Sequence, residues 1–258
     1  MKNDLKNTTF LIPLRMDSMV RFENLLMTVE HLLRYFETNI IVLQADKYEN
    51  GIVPHLLGKK VKYRFVEDYD MVFYRTKYLN QMTCEVNTPF IGIWDADVIV
   101  PNRQVIDSIE KLQAGYEIAY PYDGHFYDTT DIVREMYFKN RQLKILETNQ
   151  YKMNLSYSKE SLGGAFMANR QAYIDAGMEN EEFYGWGPED WERCERWRVF
   201  AYKIYRAEGN LYHLSHSRGN NSMHRSLDQF VNTNKRCKLT ALSNAKDLKN
   251  TYQWQCLQ

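Results

Sequence analysis

Two aspartates spaced one residue apart, Asp95 and Asp97, lie within a hydrophobic segment at residues 88–100. If the segment is a strand, both side chains point to the same face. A buried carboxylate costs free energy unless it is paired, hydrogen-bonded or bound to a metal. Phosphate-handling sites commonly hold a hard divalent cation with one or two carboxylates and the phosphates of the substrate. The pair indicates either such a metal and nucleotide site or a turn that caps the next helix.

Two histidines, His213 and His216, follow much later in the chain. On a strand, residues spaced by three point to opposite faces, so both imidazoles could bind one metal only at a strand end or a bend. Taken alone, the pair is more typical of surface histidines. Together with Asp97 and two diphosphate oxygens, however, the imidazoles would complete an octahedral shell of nitrogen and oxygen donors. Such a shell suits Mn²⁺ better than Mg²⁺ or Ca²⁺.

The most specific string in the chain is Gly-Trp-Gly-Pro-Glu-Asp at residues 185–190. Two glycines around Trp186 make a loop that a ligand can approach closely and that carries a large aromatic face. Glu189 and Asp190 follow where a helix should begin, and the structural alternative is a helix cap stabilised by the helix dipole. A cap requires neither the tryptophan nor the glycine pair at residues 163–164, so the string favours a binding or catalytic site.

Strand and helix patterns alternate over the first 122 residues, which predicts βαβ units. The fold class is therefore α/β, with a mostly parallel central sheet and helices on both faces. Ligands bind such sheets beyond the carboxyl ends of the strands, so Asp95 and Asp97 should lie at the mouth of the crevice. The predicted strands are 8–15, 39–45, 61–67, 88–100 and 117–122, and the predicted helices are 18–36, capped by Ser18, 75–86, and 102–115, closed by Gly115.

The pattern changes after Tyr122 into a polar, tyrosine-rich and partly helical segment, which indicates an insertion over the sheet edge. Beyond it we predict a glycine turn, a strand and a helix at 161–177, a helix within 183–200, two strands around a Glu-Gly-Asn turn at 203–217, and a helical tail from Leu227. The prediction is one domain in four segments. These are a nucleotide-binding half (1–122), the insertion (123–160), an acceptor and metal half (161–225) and the C-terminal helical tail (226–258).

Composition limits the classes of function. The 258 residues carry 33 basic and 33 acidic side chains, and this balance excludes nucleic-acid binding through a general basic field. No apolar stretch approaches the roughly 18 residues of a membrane span, and the N-terminus lacks a signal-peptide core. The cysteines form no Cys-x-x-Cys pair, so we expect reduced thiols in a cytosolic protein.

In their order, these motifs resemble the metal-dependent, inverting β-1,4-galactosyltransferase family, with its N-acetylgalactosaminyl- and xylosyl-transferring relatives. The family has the GT-A fold, a Rossmann-like α/β architecture. The resemblance covers roughly residues 10–100 and 160–218, and its most specific part is the Gly-Trp-Gly-x-Glu-Asp string. The matching blocks are residues 12–15 (Ile-Pro-Leu-Arg), 73–80 (Phe-Tyr-Arg-Thr-Lys-Tyr-Leu-Asn), 95–97 (Asp-Ala-Asp), 163–164 with 185–190, and 213–218 (His-Leu-Ser-His-Ser-Arg).

The resemblance implies a role for each matched position. Asp190 would be the catalytic base, and Trp186 would form the floor of the sugar site. The metal ligands would be Asp97, His213 and His216, and the acceptor would contact Trp186, Glu189 and Asp190. The donor-binding residues would be Pro13, Leu14, Arg15, Phe73, Arg75, Asp95, Ala96, Gly164 and Trp186, among which Arg15 and Arg75 are candidates for diphosphate contacts because a guanidinium fork suits phosphate oxygens.

Several positions depart from the family pattern. Pro188 replaces a glycine, which should stiffen the loop, and His213 replaces a methionine, which could broaden the choice of metal. Ser161 stands where the galactosyl enzymes carry a bulky tyrosine beside the C2 substituent of the donor. We therefore expect UDP-N-acetylhexosamine to be accepted at least as well as UDP-galactose. Without a secretory stem or anchor, a bacterial cytoplasmic enzyme of surface-polysaccharide synthesis is expected, with peripheral contact at the inner face of the membrane.

The sequence thus predicts an inverting, galactosyl- or N-acetylgalactosaminyltransferase-like enzyme. It would move a hexose or N-acetylhexosamine from a UDP-sugar to a saccharide or lipid-linked saccharide acceptor, with Mn²⁺, or alternatively Mg²⁺, as cofactor. A metal-dependent nucleotidyltransferase is disfavoured because no glycine-rich, basic phosphate loop follows the first strand. The alternative is a non-catalytic sugar-nucleotide-binding module or a partner subunit of a transferase. Such a module would lack the base or a metal ligand, whereas Asp97, Asp190 and both histidines are present.

Overall fold

The structure, a computed structural model, describes residues 2–159, 161–217, 219 and 223–252. Strands and helices alternate over its first half, as predicted. The strands are β1 (Asn3–Leu14), β2 (Phe36–Asp46), β3 (Lys62–Glu67), β4 (Phe90–Trp94), β5 (Val98–Ile99), β6 (Ile118–Tyr120), β7 (Phe126–Asp128), β8 (Asn154–Tyr157), β9 (Ala165–Asn169), β10 (Ile204–Arg206) and β11 (Leu211–His213). The helices are α1 (Met19–Tyr35), α2 (Ile52–Leu57), α3 (Arg75–Cys84), α4 (Asn102–Gln113), α5 (Asp131–Asn140), α6 (Leu143–Thr148), α7 (Arg170–Asp175), α8 (Glu189–Val199), α9 (Leu227–Leu242) and α10 (Ala245–Thr251), and a 3₁₀ turn spans Gln150–Lys152.

The central sheet of the described chain has the strand order β10-β6-β9-β4-β1-β2-β3. β1 pairs in parallel with β2 and β4, β2 with β3, and β6 with β10, whereas β9 lies antiparallel between β4 and β6. Every residue of β1 from Thr8 to Leu14 is buried, so this strand is covered on both faces. The predicted α/β class with a mostly parallel central sheet is confirmed.

A second, smaller sheet has the order β5-β11-β7-β8, and the sequence did not predict it. Residues 88–100 are therefore not one strand, because the chain turns at Asp95–Asp97 between β4 and β5. Both strands are buried and apolar. The sequence of residues 88–100 is therefore equally compatible with one long strand and with two strands in different sheets. Likewise β10 and β11, which were predicted as neighbours around a turn, belong to different sheets.

The predicted helix ends agree with the structure where the sequence contains a recognisable capping residue. The Ser18 hydroxyl accepts a hydrogen bond from the Arg21 amide at 3.2 Å, which starts α1. Gly115, with φ +93°, follows the end of α4. The helical part of the 123–160 segment is divided, because Arg141 adopts a left-handed conformation with φ 55° between α5 and α6. Helix α2 was not predicted.

Aromatic side chains fill much of the core. Phe10 packs edge-on against Trp94 with ring centroids 5.2 Å apart, and Phe166 packs in the same way against Trp197 at 5.2 Å. Among the described residues, every helix is too short or too polar to cross a bilayer. Cys194 and Cys237 are free and buried, but Cys84 forms a disulfide, so the expectation of reduced thiols is wrong for Cys84.

Candidate active site

A cavity of about 1110 Å³ opens beyond the ends of β1 and β4. Its location agrees with the rule that ligands bind parallel sheets at the carboxyl ends of the strands. Every residue that the sequence analysis assigned to a site lies on its wall. These residues are Pro13, Leu14, Arg15, Phe73, Arg75, Asp95, Ala96, Asp97, Gly164, Trp186, Glu189, Asp190, His213 and His216. The structure thus brings the predicted residues together, while the role of each one stays a prediction.

Asp97, His213 and His216 form a compact cluster on this wall. His213 Nε2 lies 3.4 Å from Asp97 Oδ1, and His216 Nε2 lies 3.1 Å from Asp97 Oδ2. The chain bends directly after β11 ends at His213, and the Leu214 amide donates to the Asp97 carbonyl at 2.7 Å. This bend lets two histidines spaced by three residues face one carboxylate, which is the condition that their spacing imposed.

The cluster fits a divalent metal ion. The Nδ1 atom of His213 contacts the Asp128 carboxylate. The Nδ1 atom of His216 lies 2.9 Å from the Ser217 carbonyl oxygen. Such contacts fix the tautomer that leaves Nε2 free to bind a metal. Adjacent ligands of a six-coordinate ion, each about 2.1 Å from it, are separated by about 3 Å. The observed separations of 3.1 and 3.4 Å are close to this value.

The charges around Asp97 stabilise its ionised form. Burial by itself would raise the pKa of Asp97, but His213 and His216 outweigh burial and hold the pKa well below its ordinary value. Burial would lower the pKa of His213, but Asp97 and Asp128 together raise it to about 10. Arg21 also contacts Asp97, with 3.3 Å between Nη1 and Oδ2. Without a metal, the cluster is therefore an ion-pair network.

Asp95 has a different set of partners. Its carboxylate accepts a hydrogen bond from Arg75 Nη2 at 2.7 Å, and its backbone amide donates to the Gly164 carbonyl at 2.8 Å. Burial raises the pKa of Asp95 although Arg75 opposes the shift. Arg75 Nη1 is buried without a hydrogen-bond partner among the described residues. The two aspartates of the motif therefore have different partners. Asp97 contacts the two histidines, and Asp95 contacts Arg75, which has a second hydrogen-bond donor without a partner in the described residues.

Asp190 lies in the first turn of α8, where the helix dipole favours a negative charge. Arg193 Nη2 donates to Asp190 Oδ1 at 2.6 Å, and Arg193 Nη1 donates to both oxygens of the buried Glu179 at 2.8 Å. The Asp190 side chain is 30% exposed, and a Cβ added to Gly163 would lie 2.7 Å from its Oδ2. Arg193 thus holds one oxygen in place, while Gly163 leaves room for the other at the cavity wall.

Glu189, the neighbouring carboxyl group, is in a different environment. Its side chain is buried, and Oε2 has no hydrogen-bond partner among the residues that the structure describes. Burial, reinforced by the charge of Asp190, raises the pKa of Glu189 to about 8. At neutral pH this carboxyl group is therefore largely protonated and can donate a hydrogen bond, whereas Asp190 pairs with a guanidinium group.

Arg15 and Phe73 also line the cavity. The Arg15 guanidinium donates to the Ala45 carbonyl at 2.9 Å and to the Asp70 carbonyl at 2.6 Å, and it forms an ion pair with Asp68. It also lies over the Phe73 ring, 5.4 Å from the centroid. Several Arg15 donors are thus engaged by the protein itself, and the guanidinium supports the wall beside Phe73. The predicted diphosphate contact of Arg15 stays a prediction.

The loop that carries Trp186 is held in place by residues near the C-terminus of the chain. Gly185 has φ +85°, and a Cβ there would lie 2.9 Å from Val72, so the position requires glycine. Gln229 Nε2 on α9 donates to the Trp186 carbonyl at 3.2 Å. The Trp186 side chain is 40% exposed, and its ring meets that of His224 edge-on at 4.7 Å. Arg218, which belongs to the last matched block, lies outside the described residues.

Sequence reasoning missed several residues that support the site. Arg21 and Asp128 contact the metal cluster, and Glu179 and Arg193 orient Asp190. A weak local signal existed only for Arg193, because an acid and a base spaced by three residues on a helix can pair. Asp128 lies far from His213 in the sequence and becomes its neighbour only because β7 pairs with β11.

Comparison with known proteins bears on the family and the fold. Residues 144–217 match the model of a family described as the N-terminal domain of galactosyltransferase. The match begins inside the segment that we predicted to be an insertion. A search of curated protein sequences returned no match.

The chain is similar to solved structures of glycosyltransferases. The catalytic domain of Drosophila β1,4-galactosyltransferase 7, in complex with xylobiose, is 16% identical, with a TM-score of 0.56 over 89% of this chain and 79% of that chain. The mannosyltransferase PcManGT from Pyrobaculum calidifontis, in complex with GDP-Man and Mn²⁺, is 13% identical, with a TM-score of 0.53 over 83% and 58%. Glucosyl-3-phosphoglycerate synthase from Mycobacterium tuberculosis, with Mn²⁺, UDP and phosphoglyceric acid, is 14% identical, with a TM-score of 0.51 over 92% and 78%.

These likenesses establish the fold, which is of the GT-A type. Together with the match over residues 144–217, they confirm the resemblance to galactosyltransferases that the motifs predicted. The fold alone does not determine the donor, the acceptor or the reaction, because one fold supports many functions.

Proposed function

We propose that this GT-A protein is an inverting, metal-dependent glycosyltransferase that moves a hexose or N-acetylhexosamine from a UDP-sugar to a saccharide acceptor. The observation that supports this best is that the Asp97–His213–His216 cluster and the Asp190 carboxylate line one cavity. A divalent ion beside a diphosphate and a carboxylate beside an incoming hydroxyl are the two parts that such a reaction needs. A cavity of this size also has room for a donor and an acceptor together.

In the proposed reaction, Asp190 accepts the proton of the acceptor hydroxyl. The hydroxyl oxygen forms a bond to the anomeric carbon while the bond from that carbon to the UDP oxygen breaks, so the configuration inverts. Arg193, which is itself fixed by Glu179, holds the Asp190 carboxylate in place during the transfer. Glu189, protonated at neutral pH, donates a hydrogen bond to the acceptor.

Asp97, His213 and His216 would hold the metal, with Mn²⁺ preferred over Mg²⁺ because two of the three donors are imidazoles. When bound, the ion neutralises the negative charge that grows on the departing UDP. Asp128 and the Ser217 carbonyl keep the two imidazole rings directed at the ion. Arg75 Nη1, which has no partner in the described part of the chain, donates to the diphosphate.

The donor is proposed to include UDP-N-acetylhexosamines. Ser161 lines the cavity, and its hydroxyl accepts a hydrogen bond from Tyr122 at 3.1 Å. The small side chain supports a site with room for an N-acetyl group at C2. A strong preference for UDP-galactose in a competition assay would contradict this part of the proposal.

We place the reaction in bacterial surface-polysaccharide synthesis, with a saccharide or lipid-linked saccharide as acceptor. The expected cytoplasmic location, at the inner face of the membrane, stays a prediction. The alternative function is a non-catalytic module that binds a sugar nucleotide.

The proposal is tested by incubating the protein with UDP-galactose, UDP-N-acetylgalactosamine, UDP-N-acetylglucosamine and UDP-glucose, with and without Mn²⁺. GDP-mannose serves as the control donor, and UDP or GDP release is followed with a panel of saccharide acceptors. We expect acceptor-dependent release that requires Mn²⁺ and a UDP-sugar. Tight UDP binding without turnover on any acceptor would favour the non-catalytic module, and release only from GDP-mannose would overturn the assignment of the donor class.

A further inference from the structure

One face of α8 contributes a row of side chains to the cavity beyond Asp190. Trp191, Glu195 and Arg198 are spaced by four and three residues, so they lie on one side of the helix, and all three line the cavity. The Trp191 side chain is 46% exposed. Its ring nitrogen donates to Glu195 Oε1 at 3.1 Å, and Glu195 also forms an ion pair with Arg198. Glu195 therefore fixes both an aromatic face and a guanidinium group at the cavity wall.

Arg206, at the end of β10, lines the same cavity. Its Nη2 donates to the Ser161 carbonyl at 3.1 Å, and its guanidinium lies 4.3 Å from the centroid of the Tyr120 ring. Nη1 is buried and has no hydrogen-bond partner among the described residues, and no carboxylate there pairs with Arg206. A buried cationic donor without a partner is costly unless a ligand supplies an anion.

The two arginines belong to one part of the cavity. The Tyr120 ring on which Arg206 lies is 6.4 Å from the ring of Trp197 on α8, the residue before Arg198, so Arg206 lies beside the helix that carries Arg198. Glu195 pairs with Arg198, whereas no described carboxylate forms an ion pair with Arg206. This part of the cavity therefore combines an exposed aromatic ring, Trp191, with a guanidinium donor, Arg206 Nη1, that has no partner among the described residues.

We propose that Trp191, Arg198 and Arg206 form an acceptor subsite for an anionic saccharide. The sugar ring lies against the Trp191 face, and its carboxylate or phosphate binds the guanidinium groups of Arg198 and Arg206. A guanidinium fork binds either anion through two parallel hydrogen bonds. Trp191 and Asp190 line the same cavity, so the subsite holds the acceptor in the cavity that contains the carboxylate that would receive its proton. This inference rests on the proposed function, since it names the class of acceptor for that site.

The test uses three matched ligands, methyl β-D-glucuronide, methyl β-D-glucoside 6-phosphate and methyl β-D-glucoside. Their affinities are measured by calorimetry in the presence of UDP and Mn²⁺. We expect at least one anionic ligand to bind about tenfold more tightly than the neutral glucoside, a difference of about 1.4 kcal/mol. The stronger of the two anions identifies the group as a carboxylate or a phosphate.

Three variants locate the binding site. Arg206→Gln should abolish the preference for the anion, and Arg198→Gln, at a side chain that is 60% exposed and so tolerant of substitution, should reduce it. Trp191→Ala should weaken the binding of all three ligands by a similar factor, because the ring contributes equally to the affinity for each. Arg103→Gln, at an exposed arginine on α4 that does not line the cavity, is the matched control and should leave the preference unchanged.

Equal affinities for the three ligands, or no detectable binding of either anion, would overturn the subsite. A preference that survives in both Arg198→Gln and Arg206→Gln would also overturn it. UDP binding with Mn²⁺ is measured on the same preparation. Retained UDP binding without an anion preference contradicts the subsite alone, and an anion preference without UDP binding contradicts the proposed donor chemistry alone.

Discussion

Asp190 and Glu189 are adjacent in sequence but have opposite environments. Asp190 pairs with Arg193 and is partly exposed, whereas Glu189 is buried and has its pKa raised to about 8. Two neighbouring carboxyl groups in such different environments suit different roles at one site. At the scale of single residues, this difference supports Asp190 as the base and Glu189 as a hydrogen-bond donor.

The first prediction is that Asp190→Asn lowers transfer by about 10²–10⁴-fold, the usual contribution of a positioned general base. The amide keeps an oxygen that accepts the hydrogen bond from Arg193, so the free energy of unfolding should change by less than about 1 kcal/mol. UDP and Mn²⁺ binding should persist. A product assay and a melting curve measure both effects, with Asp228→Asn, in the exposed first turn of α9, as control. Transfer near the wild-type rate would move the base role to Glu189.

The second prediction concerns metal dependence. Asp97 is the one carboxylate that both histidines of the cluster contact, so Asp97→Ala should abolish the Mn²⁺-dependent part of UDP-sugar binding. Calorimetry with and without Mn²⁺, and after treatment with a chelator, measures the effect. Asp175→Ala, at an exposed position on α7, is the control. If the Asp97 variant still binds UDP more tightly with Mn²⁺ than without it, Asp97 is not a metal ligand.

At the scale of elements, α8 joins the site to the core. One part of the helix lines the cavity, and another carries two ion pairs that are almost completely buried, Arg193–Glu179 and Arg196–Glu192. Thr240 on α9 donates to Glu192 at 3.0 Å, so the C-terminal helices hold α8 from outside. The position of Asp190 therefore depends on a helix whose orientation is determined by buried charges.

The third prediction tests this dependence. Arg193→Met should lower the free energy of unfolding by about 3–5 kcal/mol, because Glu179 would be left buried without its cation. Arg198→Met on the same helix is the matched control, since its exposed ion pair should contribute less than about 1 kcal/mol. Chemical denaturation of both variants gives the comparison. Similar losses in the two variants would show that the Arg193–Glu179 pair does not hold α8 in place.

At the scale of the whole molecule, the cavity lies where two sheets meet. The central sheet supplies the ends of β1 and β4, and the smaller sheet supplies His213 at the end of β11. His31 joins α1 to the chain after β5, in the smaller sheet, and to α5. Its Nε2 lies 2.9 Å from the Val100 carbonyl, just after β5, and its Nδ1 lies 3.4 Å from the Tyr137 hydroxyl on α5.

The fourth prediction is a loss of stability in mild acid. Burial lowers the pKa of His31 to about 4; the contact with the Val100 carbonyl and the charge of Glu30 oppose this shift, and the charge of Arg34 adds to it. The unfolded chain has the ordinary histidine pKa of about 6.5 and binds the proton first. The contribution of neutral His31 is therefore present above about pH 6.5 and is lost as the pH falls toward 4.

The variant His31→Gln keeps a donor at this position but does not titrate. Its free energy of unfolding should fall less steeply than that of the wild type between pH 6.5 and 4. Urea denaturation across this range measures both slopes. Identical slopes in the two proteins would assign the acid sensitivity to other groups.

Much of this molecule was predictable from local patterns. Apolar periodicity predicted β1, α1, β2, β3, α3 and α4, and Ser18 and Gly115 marked helix ends. The residue types of Asp97, His213, His216 and Asp190 indicated the candidate site and its chemistry, and the structure places them around one cavity. These signals are readable because strand and helix periodicity, caps and short motifs depend on neighbours within a few residues.

Tertiary structure decided what those neighbours could not encode. A buried apolar run does not show that the chain breaks between β4 and β5 and enters a second sheet. Likewise, a single charged residue does not show its distant partner, as in the pairs Arg193–Glu179 and His213–Asp128. Arg206 was an ordinary arginine at a strand end until the fold placed it at the cavity wall without a carboxylate partner among the described residues. The physical reason is that burial and the distance between charges depend on strand register and helix packing, which no short stretch of sequence specifies.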